Sequence, residues 1–290
     1  MSEQVRKSGM SAAVAMQRLK DLMGRAEEHI DLAEAALVVA LEEYPDLDIR
    51  AYLTRLDELA DTLRRRLAPN PPVQEQLAAL NHYLFVEQGF RPNPADYYDP
   101  RNSFLNDVLD RRLGIPLTLS IVYIEIGRRV GLPLTGVSFP GHFLAKCTVS
   151  GGVVVVDPYS GGISLSLAEL RDRLKLLKGT EAPTEEQVAA MLGTASARDI
   201  LVRMLRNLKA IYHNRDELAR ALSCSDRILL IAPDATDELR ERATVYLELE
   251  CYQAAMIDLE RYLALEPDAK DAEEVREQLV ELRRNAPRLN

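Results

Sequence analysis

Two residues in the middle of the sequence carry the side chains of a proton-transfer pair. His142 opens one segment of β-type composition, residues 142–149, and Asp157 follows the next one, residues 153–156. In acyl-transfer enzymes, a histidine oriented by a carboxylate activates a thiol or a hydroxyl as the nucleophile. A thiol nucleophile works best at the amino end of a helix, where the helix dipole lowers its pKa. The sequence should therefore contain a helix whose amino end lies beside His142.

The helix that fits this requirement begins at Pro116. Proline suits the first position of a helix, and the residues from Leu117 to about Val130 are apolar on nearly every side. A helix with this pattern is buried in the centre of a domain. Its first turns carry no cysteine, only the hydroxyl groups of Thr118 and Ser120.

Three short segments around these residues are specific when they occur together. They are Asn102-Ser103-Phe104-Leu105-Asn106, Pro140-Gly141-His142-Phe143 and Asp157-Pro158-Tyr159-Ser160-Gly161-Gly162. From about residue 30 to 285, the chain resembles the SirB-type family of bacterial proteins, in which a transglutaminase-like domain precedes tetratricopeptide repeats. The resemblance implies a nucleophilic cysteine within residues 116–118, where this sequence has none. About biology it implies only that some members are linked by name to the regulation of virulence genes.

Three interpretations of the His142–Asp157 pair remain open. The pair is a non-catalytic remnant that still builds a cleft, or it serves a hydrolase or acyltransferase with Thr118 or Ser120 as nucleophile, or His142 is structural. A hydroxyl is a far weaker nucleophile than a thiolate, because the helix dipole cannot lower so high a pKa far enough. Cys147 is a poor substitute, since it lies five residues after His142 and points to the other face of the strand. The missing thiol favours a protein without enzymatic activity.

The distance between the two side chains depends on the turn between their strands. A loop of about six residues would bring His142 and Asp157 to the same end of the hairpin. A tight turn at Gly151-Gly152 would instead place Asp157 opposite Lys146, about 13 Å from His142 at ~3.3 Å per residue. We therefore expect the longer loop if the pair is intact.

Two asparagines are candidates for the mouth of the cleft. Asn102 and Asn106 lie one helical turn apart in the segment that precedes the buried helix. The alternative is that they cap helices and bind the backbone, with Asn102 capping a short helix that ends near Arg112.

The surrounding elements indicate an α+β fold. Residues 11–89 repeat apolar side chains at three- and four-residue steps, the pattern of amphipathic helices. Residues 134–139, 142–149 and 153–156 predict a small antiparallel sheet, and residues 165–177 return to a helix. Together with the resemblance, this predicts a mainly helical transglutaminase- or papain-like domain with a small antiparallel sheet, assigned to residues 1–185.

The last third of the chain contains a repeat. Pro233-Asp234 and Pro267-Asp268 lie 34 residues apart, which is the tetratricopeptide period. The first copy departs from the pattern, with Lys209 where a small residue is usual. The second copy carries apolar and small residues at the packing positions: Leu239, Ala243, Tyr246, Ala255, Leu259 and Tyr262. We assign residues 196–285 to two repeats and a capping helix, Ala272–Arg284, in an all-α array that offers a groove to a protein or peptide partner.

Composition excludes several classes of function. The net charge is −9, and residues 234–290 hold 15 acidic and 8 basic residues, so nucleic acid is an unsuitable partner. No segment is apolar for long enough to cross a membrane, and the first residues do not form a signal peptide, so we expect a cytoplasmic protein. The spacing of cysteines and histidines predicts no metal site, and no phosphate-binding loop indicates a cofactor. The oligomeric state is left open.

Overall fold

The chain folds into two units, Met1–Met204 and Leu205–Asn290. The computed structural model describes residues 3–178 and 183–285. Within these residues, the first unit combines helices with small sheets and the second is helical. The predicted fold class, an α+β domain followed by an all-α repeat region, is confirmed.

The first unit is mainly helical. Its helices are α1 (Glu3–Met23), α2 (Leu32–Ala40), α3 (Ile49–Arg64), α4 (Val73–Asn81), α5 (Leu105–Arg111), α6 (Pro116–Arg129), α7 (Leu167–Lys178), α8 (Glu185–Ala190) and the first part of α9 (Ala197–Asn214). Its strands are β1 (Arg91–Pro92), β2 (Leu113–Gly114), β3 (Leu134–Val137), β4 (Leu144–Val149), β5 (Gly152–Asp157) and β6 (Ile163–Leu165).

Helix α6 is the buried element of the first unit. Ile115 precedes it with an extended backbone, and Pro116 begins it because its fixed φ suits a helix start. Every residue from Pro116 to Gly127 is buried. The helix contacts α3 and α5 as well as strands β3 and β4. The prediction of a buried helix after Gly114 is confirmed.

The larger sheet is antiparallel, with strand order β3-β4-β5-β6. Because side chains alternate along a strand, the sheet has two different faces. Leu144 and Val155 point to one face, where they pack with Leu170 and Leu174 of α7. The other face carries Cys147, which is fully buried. Buried side chains thus cover part of each face of the sheet, and His142 and Asp157 lie at one end of the β4–β5 hairpin.

The second unit contains the rest of α9 and four further helices. These are α10 (Leu218–Ile231), α11 (Thr236–Glu248), α12 (Tyr252–Leu265) and α13 (Ala272–Asn285). The packing positions predicted from the repeat form one core, with Tyr246 at its border: Leu239, Ala243, Ala255, Leu259 and Tyr262. Val275 and Leu279 of α13 join this core.

Candidate functional site

His142 and Asp157 lie in direct contact. His142 Nε2 is 2.9 Å from Asp157 Oδ1. The carboxylate is fully buried, whereas the imidazole keeps some exposure to solvent. An ionised carboxylate only accepts hydrogen bonds, so Nε2 carries the hydrogen, and a neutral ring has its lone pair on Nδ1. Within the described residues, Nδ1 makes no hydrogen bond and is available to accept a proton.

The turn between β4 and β5 corrects one expectation. Val149 pairs with Gly152, so the connection is the two residues Ser150-Gly151. The expected loop of about six residues is therefore wrong. The turn is tight, but it lies one residue earlier than the turn at Gly151-Gly152 that we considered from the sequence.

This shift of one residue in the turn moves the pairing register by two. Ala145 lies opposite Val156, which places Asp157 beside Leu144 rather than opposite Lys146. His142 is then the diagonal neighbour of Asp157 on the same face of the hairpin, a separation that long side chains can bridge. A tight turn therefore keeps the pair together, contrary to what we expected of it.

The Asp157 carboxylate is fully satisfied by five donors. Besides His142, Oδ1 accepts the backbone N–H groups of Tyr159 at 3.1 Å and Ser160 at 3.3 Å. Oδ2 accepts Ser160 Oγ at 2.9 Å and Arg173 Nη1 at 2.8 Å. Burial alone would raise the pKa of Asp157, but the hydrogen bonds from His142, Arg173 and Ser160 lower it to about 2. The carboxylate is therefore ionised at neutral pH.

The chain after Asp157 is shaped by these bonds. Asp157 caps a single 3-10 turn, Pro158–Ser160, which contacts α6. Gly162 has a φ of 81°, a conformation that favours glycine. It also lies against Asn81, because a Cβ atom at this position would be 2.2 Å from Asn81 Oδ1. The amide of Asn81 donates to the Gly162 carbonyl oxygen at 2.7 Å and accepts from the Tyr123 hydroxyl of α6.

The Thr118 hydroxyl takes part in hydrogen bonds that stabilise the start of α6. Its Oγ accepts the backbone N–H of Ile115 at 3.1 Å and donates to the Asn102 carbonyl oxygen at 2.7 Å. The side chain is fully buried. Gly114 allows this close packing, since a Cβ there would lie 2.8 Å from Thr118 Oγ. The hydroxyl makes no hydrogen bond to His142, so the structure does not bring this candidate nucleophile to the base.

Ser120 contacts the residue next to His142, but its hydroxyl also donates to a backbone carbonyl oxygen and not to the imidazole. Its Oγ donates to the Phe143 carbonyl oxygen at 3.4 Å, a long hydrogen bond, and the side chain is fully buried. This contact puts the first turns of α6 beside the residue that follows His142. The hydroxyl nevertheless does not donate to the imidazole. Cys147 lies on the other face of the sheet and is fully buried, and burial raises the pKa of its thiol, which disfavours the reactive thiolate.

The two asparagines have different environments. Asn102 is fully buried, and its amide donates to the backbone oxygens of Asp96 at 2.7 Å and Tyr97 at 3.3 Å. Its side chain therefore binds the backbone of the preceding loop, which is one of the two roles considered from the sequence. It does not cap α5, whose N-cap is Phe104. Asn106 is buried, and its Oδ1 has no hydrogen-bond partner within the described residues.

Arg173 is a side chain of the candidate site that the sequence did not predict. It lies on α7, 16 residues after Asp157, and supplies the charge that balances the buried carboxylate. The sequence around it shows only an amphipathic helix. The one available signal is the general rule that a buried carboxylate needs a cation, and this rule does not say which of the chain's arginines supplies it.

The pH dependence of stability should report the low pKa of Asp157. A carboxyl whose folded pKa is about 2 and whose unfolded pKa is about 3.9 contributes stability above pH ~4 and loses it as the pH falls toward 2. We therefore expect the difference in unfolding free energy between the wild type and Asp157→Asn to shrink by about 1 kcal/mol from pH 5 to pH 3. Urea unfolding at a series of pH values measures it. A constant difference over this range would contradict the assignment.

The second unit contains a groove of about 560 Å³ between α9 and α11, a volume in the range of ligand-binding pockets. Lys209 Nζ binds Glu238 at 2.6 Å and Glu241 at 2.5 Å, and Arg206 binds Asp237 at 2.5 Å. The lysine that departs from the repeat pattern is thus explained by two acids on the next repeat. The side chains along the groove include Arg206, Lys209, His213, Asp237, Glu241 and Thr244.

Residues 3–178 and 183–285 contain neither a candidate metal cluster nor a candidate membrane-spanning helix. No group of three or more His, Cys, Asp and Glu side chains is arranged to hold a metal ion there. No helix in that part of the chain is both long and apolar enough to span a lipid bilayer.

Comparison with protein families gives two matches. A family model described as the transglutaminase-like superfamily matches residues 50–206, more than half of the chain. A tetratricopeptide-repeat model matches residues 208–280. The narrower SirB-type name stays a prediction. No solved structure matches the chain significantly.

Several curated proteins are similar to this chain, and the two UPF0162 proteins below are matched over most of their length. A UPF0162 protein of Xylella fastidiosa (strain Temecula1) is 44% identical over 256 residues, 88% of this chain and 91% of the relative. A UPF0162 protein of Pseudomonas aeruginosa is 35% identical over 257 residues, 89% of this chain and 93% of the relative. The F-box only protein 21 of Mus musculus is 30% identical over 184 residues, 60% of this chain but 28% of that protein.

Proposed function

The chain belongs to the transglutaminase-like superfamily, among the UPF0162 proteins, and from this premise we propose that it is a non-catalytic member that binds another protein. Its tetratricopeptide repeats supply one binding surface and the residues around His142 supply a second. Repeats of this kind usually present a groove to peptides or helices. The proposal includes a cytoplasmic location, which suits three cysteines that are all free thiols.

The observation that carries the non-catalytic part is the hydrogen bonding of Thr118. Acyl transfer requires a nucleophile within hydrogen-bond reach of the base. The Thr118 hydroxyl instead donates its hydrogen to the Asn102 carbonyl oxygen at the start of α6. Ser120 likewise donates to a backbone carbonyl. Because neither candidate hydroxyl donates to the imidazole, the arrangement supports a retained scaffold rather than an enzyme.

The alternative is an amide or ester hydrolase or acyltransferase that uses Thr118 or Ser120 with His142 and Asp157. It would require one of these buried hydroxyls to break its present hydrogen bond and turn toward His142. The geometry of the pair itself, with an ionised Asp157 and an available Nδ1, suits a base. The positions of the hydroxyls do not favour this alternative.

The groove in the repeat unit supports the binding part. Its walls carry positively and negatively charged side chains. Ion pairs between α9 and α11 fix the positions of Lys209 and Arg206. Thr244 lies on its α11 wall with an exposed side chain. A larger side chain at Thr244 would fill the groove without disturbing the core.

A blocking substitution tests the proposed function. We expect Thr244→Arg to reduce capture of the protein's partners from a lysate of the native host by at least about tenfold, because about 1.4 kcal/mol of lost contact suffices. The matched control is Ile257→Arg, which adds the same side chain at an exposed position of α12 outside the groove. Quantitative mass spectrometry of the captured proteins measures both. His142→Ala should leave capture through the groove unchanged.

Two outcomes would contradict the proposal. Equal capture by wild type, Thr244→Arg and Ile257→Arg would exclude the groove as the binding surface. Covalent labelling of Thr118 or Ser120 by an acylating probe, lost in His142→Ala, would identify an enzyme instead.

A further inference from the structure

Arg203, on α9 in the first unit, is a cation for which the described part of the chain offers no carboxylate. Its Nη1 donates to uncharged oxygens, Ser138 Oγ at 2.7 Å and the Phe139 carbonyl oxygen at 3.3 Å. Arg198 and Arg206 on the same helix each form an ion pair with an acidic residue. The missing counter-ion therefore distinguishes Arg203 from the arginines next to it in sequence.

The environment of Arg203 makes this unbalanced charge costly. The guanidinium lies over the Phe143 ring, 5.6 Å from its centroid, and burial lowers the pKa of Arg203. A cation held partly away from water without a counter-ion destabilises the fold. The edge formed by Nε and Nη2 makes no hydrogen bond within residues 3–178 and 183–285. This edge is one that binds a carboxylate through two parallel hydrogen bonds.

Arg203 is fixed to the same turn as His142. The Phe139 carbonyl oxygen that accepts from Arg203 also accepts the backbone N–H of His142 at 3.0 Å. Tyr159 packs edge-on to the imidazole, with 5.8 Å between ring centroids. The exposed Tyr97 lies near Tyr159 and Arg203, close enough for both to influence the pKa of its hydroxyl. We call His142, Tyr159, Tyr97 and Arg203 the His142 surface.

The charges around the His142 surface favour an anion. Asp157 is buried behind it, and Arg173 offsets its charge. Arg203 then contributes a positive charge that no described carboxylate balances, in a chain whose net charge is −9. Aromatic rings beside an arginine suit a peptide, because they cover apolar atoms while the guanidinium binds the charged group.

We propose that the His142 surface binds a peptide through a carboxylate group, which the free edge of Arg203 holds beside the rings of Tyr97 and Tyr159. This inference rests on the proposed binding function and names the ligand chemistry of its first-unit surface. The carboxylate is either the end of a chain or an Asp or Glu side chain. A phosphate fits less well, because phosphate sites gather several donors, such as backbone N–H groups, and here Arg203 is the donor.

Small carboxylates test this assignment on the full-length protein. The NMR signal of the Arg203 Nε–H group is followed while N-acetylglycine, N-acetylglutamate α-amide, N-acetylglycinamide or inorganic phosphate is added. The first two probes represent a chain end and an acidic side chain, and the third lacks the charge. Arg203→Met removes the guanidinium and keeps an apolar group on Phe143. Arg198→Met, on the same helix, is the matched control.

We expect saturable shifts of the Arg203 signal at millimolar concentrations of at least one carboxylate probe, and the stronger of the two identifies the source. Backbone shifts caused by that probe should disappear in Arg203→Met and persist in Arg198→Met. Arg203→Lys, which keeps the charge but loses the planar edge, should bind about tenfold more weakly. A well-dispersed amide spectrum shows that each variant is folded.

Three results would overturn the assignment: no saturable shift with either carboxylate, equal shifts with N-acetylglycinamide, or a response to phosphate alone. None of them bears on the repeat groove, whose test uses Thr244→Arg. Failure of this proposal is therefore distinguishable from failure of the proposed function.

Discussion

Replacing Asp157 with alanine is expected to lower the unfolding free energy of the first unit by about 3–5 kcal/mol, as removal of one partner from a buried ion pair does. The change leaves five donors without their acceptor: the His142 ring, the Tyr159 and Ser160 N–H groups, the Ser160 hydroxyl and the Arg173 guanidinium. Each unmade hydrogen bond to a buried group adds to the loss. Amide hydrogen exchange of strand β5 reads this loss in the first unit separately from the repeats.

Asp172→Ala is the matched control for this experiment. Asp172 is an exposed acid on α7, next to Arg173 in sequence, and its removal should change the unfolding free energy by less than about 0.5 kcal/mol. Asp157→Asn should fall between the two, because an amide oxygen still accepts the N–H groups but no longer balances Arg173. A loss in Asp157→Ala as small as that in Asp172→Ala would show that the five bonds do not stabilise the unit.

The second large effect is expected in the repeat unit. Arg242 Nε and Nη2 bind the two oxygens of Asp258 at 2.7 and 2.6 Å, and Nη1 binds Asp226 at 2.6 Å. Burial lowers the pKa of Arg242, but Asp258 and Asp226 raise it above its ordinary value. Arg242→Met would leave the buried Asp258 without a cation, so we expect the unit to lose about 3 kcal/mol of unfolding free energy.

Hydrogen exchange of the α12 amides measures this loss of unfolding free energy. Two further variants test whether the buried ion pair is its cause. Arg276→Met breaks an exposed ion pair with Glu273 on α13 and should cost less than about 1 kcal/mol. The double variant Arg242→Met/Asp258→Leu removes both buried charges and should recover most of the stability, since a packed apolar pair can replace a buried ion pair. A double variant less stable than Arg242→Met would refute the explanation.

The sequence predicts the buried helix because its signals are local. Pro116 at the start of α6 and apolar residues on nearly all its sides define that helix without reference to any other segment. The contact between His142 and Asp157 was harder to predict, since the register of a hairpin depends on which residues form the turn. From the sequence we weighed a loop of about six residues and a tight turn at Gly151-Gly152, and the observed turn, Ser150-Gly151, is neither of these.

The parts that could not be predicted depend on contacts between distant segments. From the sequence, Thr118 is a candidate nucleophile because it carries a hydroxyl near the start of α6. Only the structure shows that this hydroxyl donates its hydrogen to the Asn102 carbonyl oxygen. Arg173 reaches Asp157 from another helix. The repeat period of 34 residues predicted the core positions, whereas the acids that pair with Lys209 come from the following repeat and leave no periodic signal.

The bond between Thr118 and residue 102 has a consequence for how this protein can evolve. A cysteine at position 118 would place a larger, weakly hydrogen-bonding sulfur where an oxygen now joins two segments at 2.7 Å. A mutation that introduced a reactive thiol would therefore loosen the very start of α6 that has to hold it. A cysteine nucleophile at this position would therefore require a second, compensating change nearby.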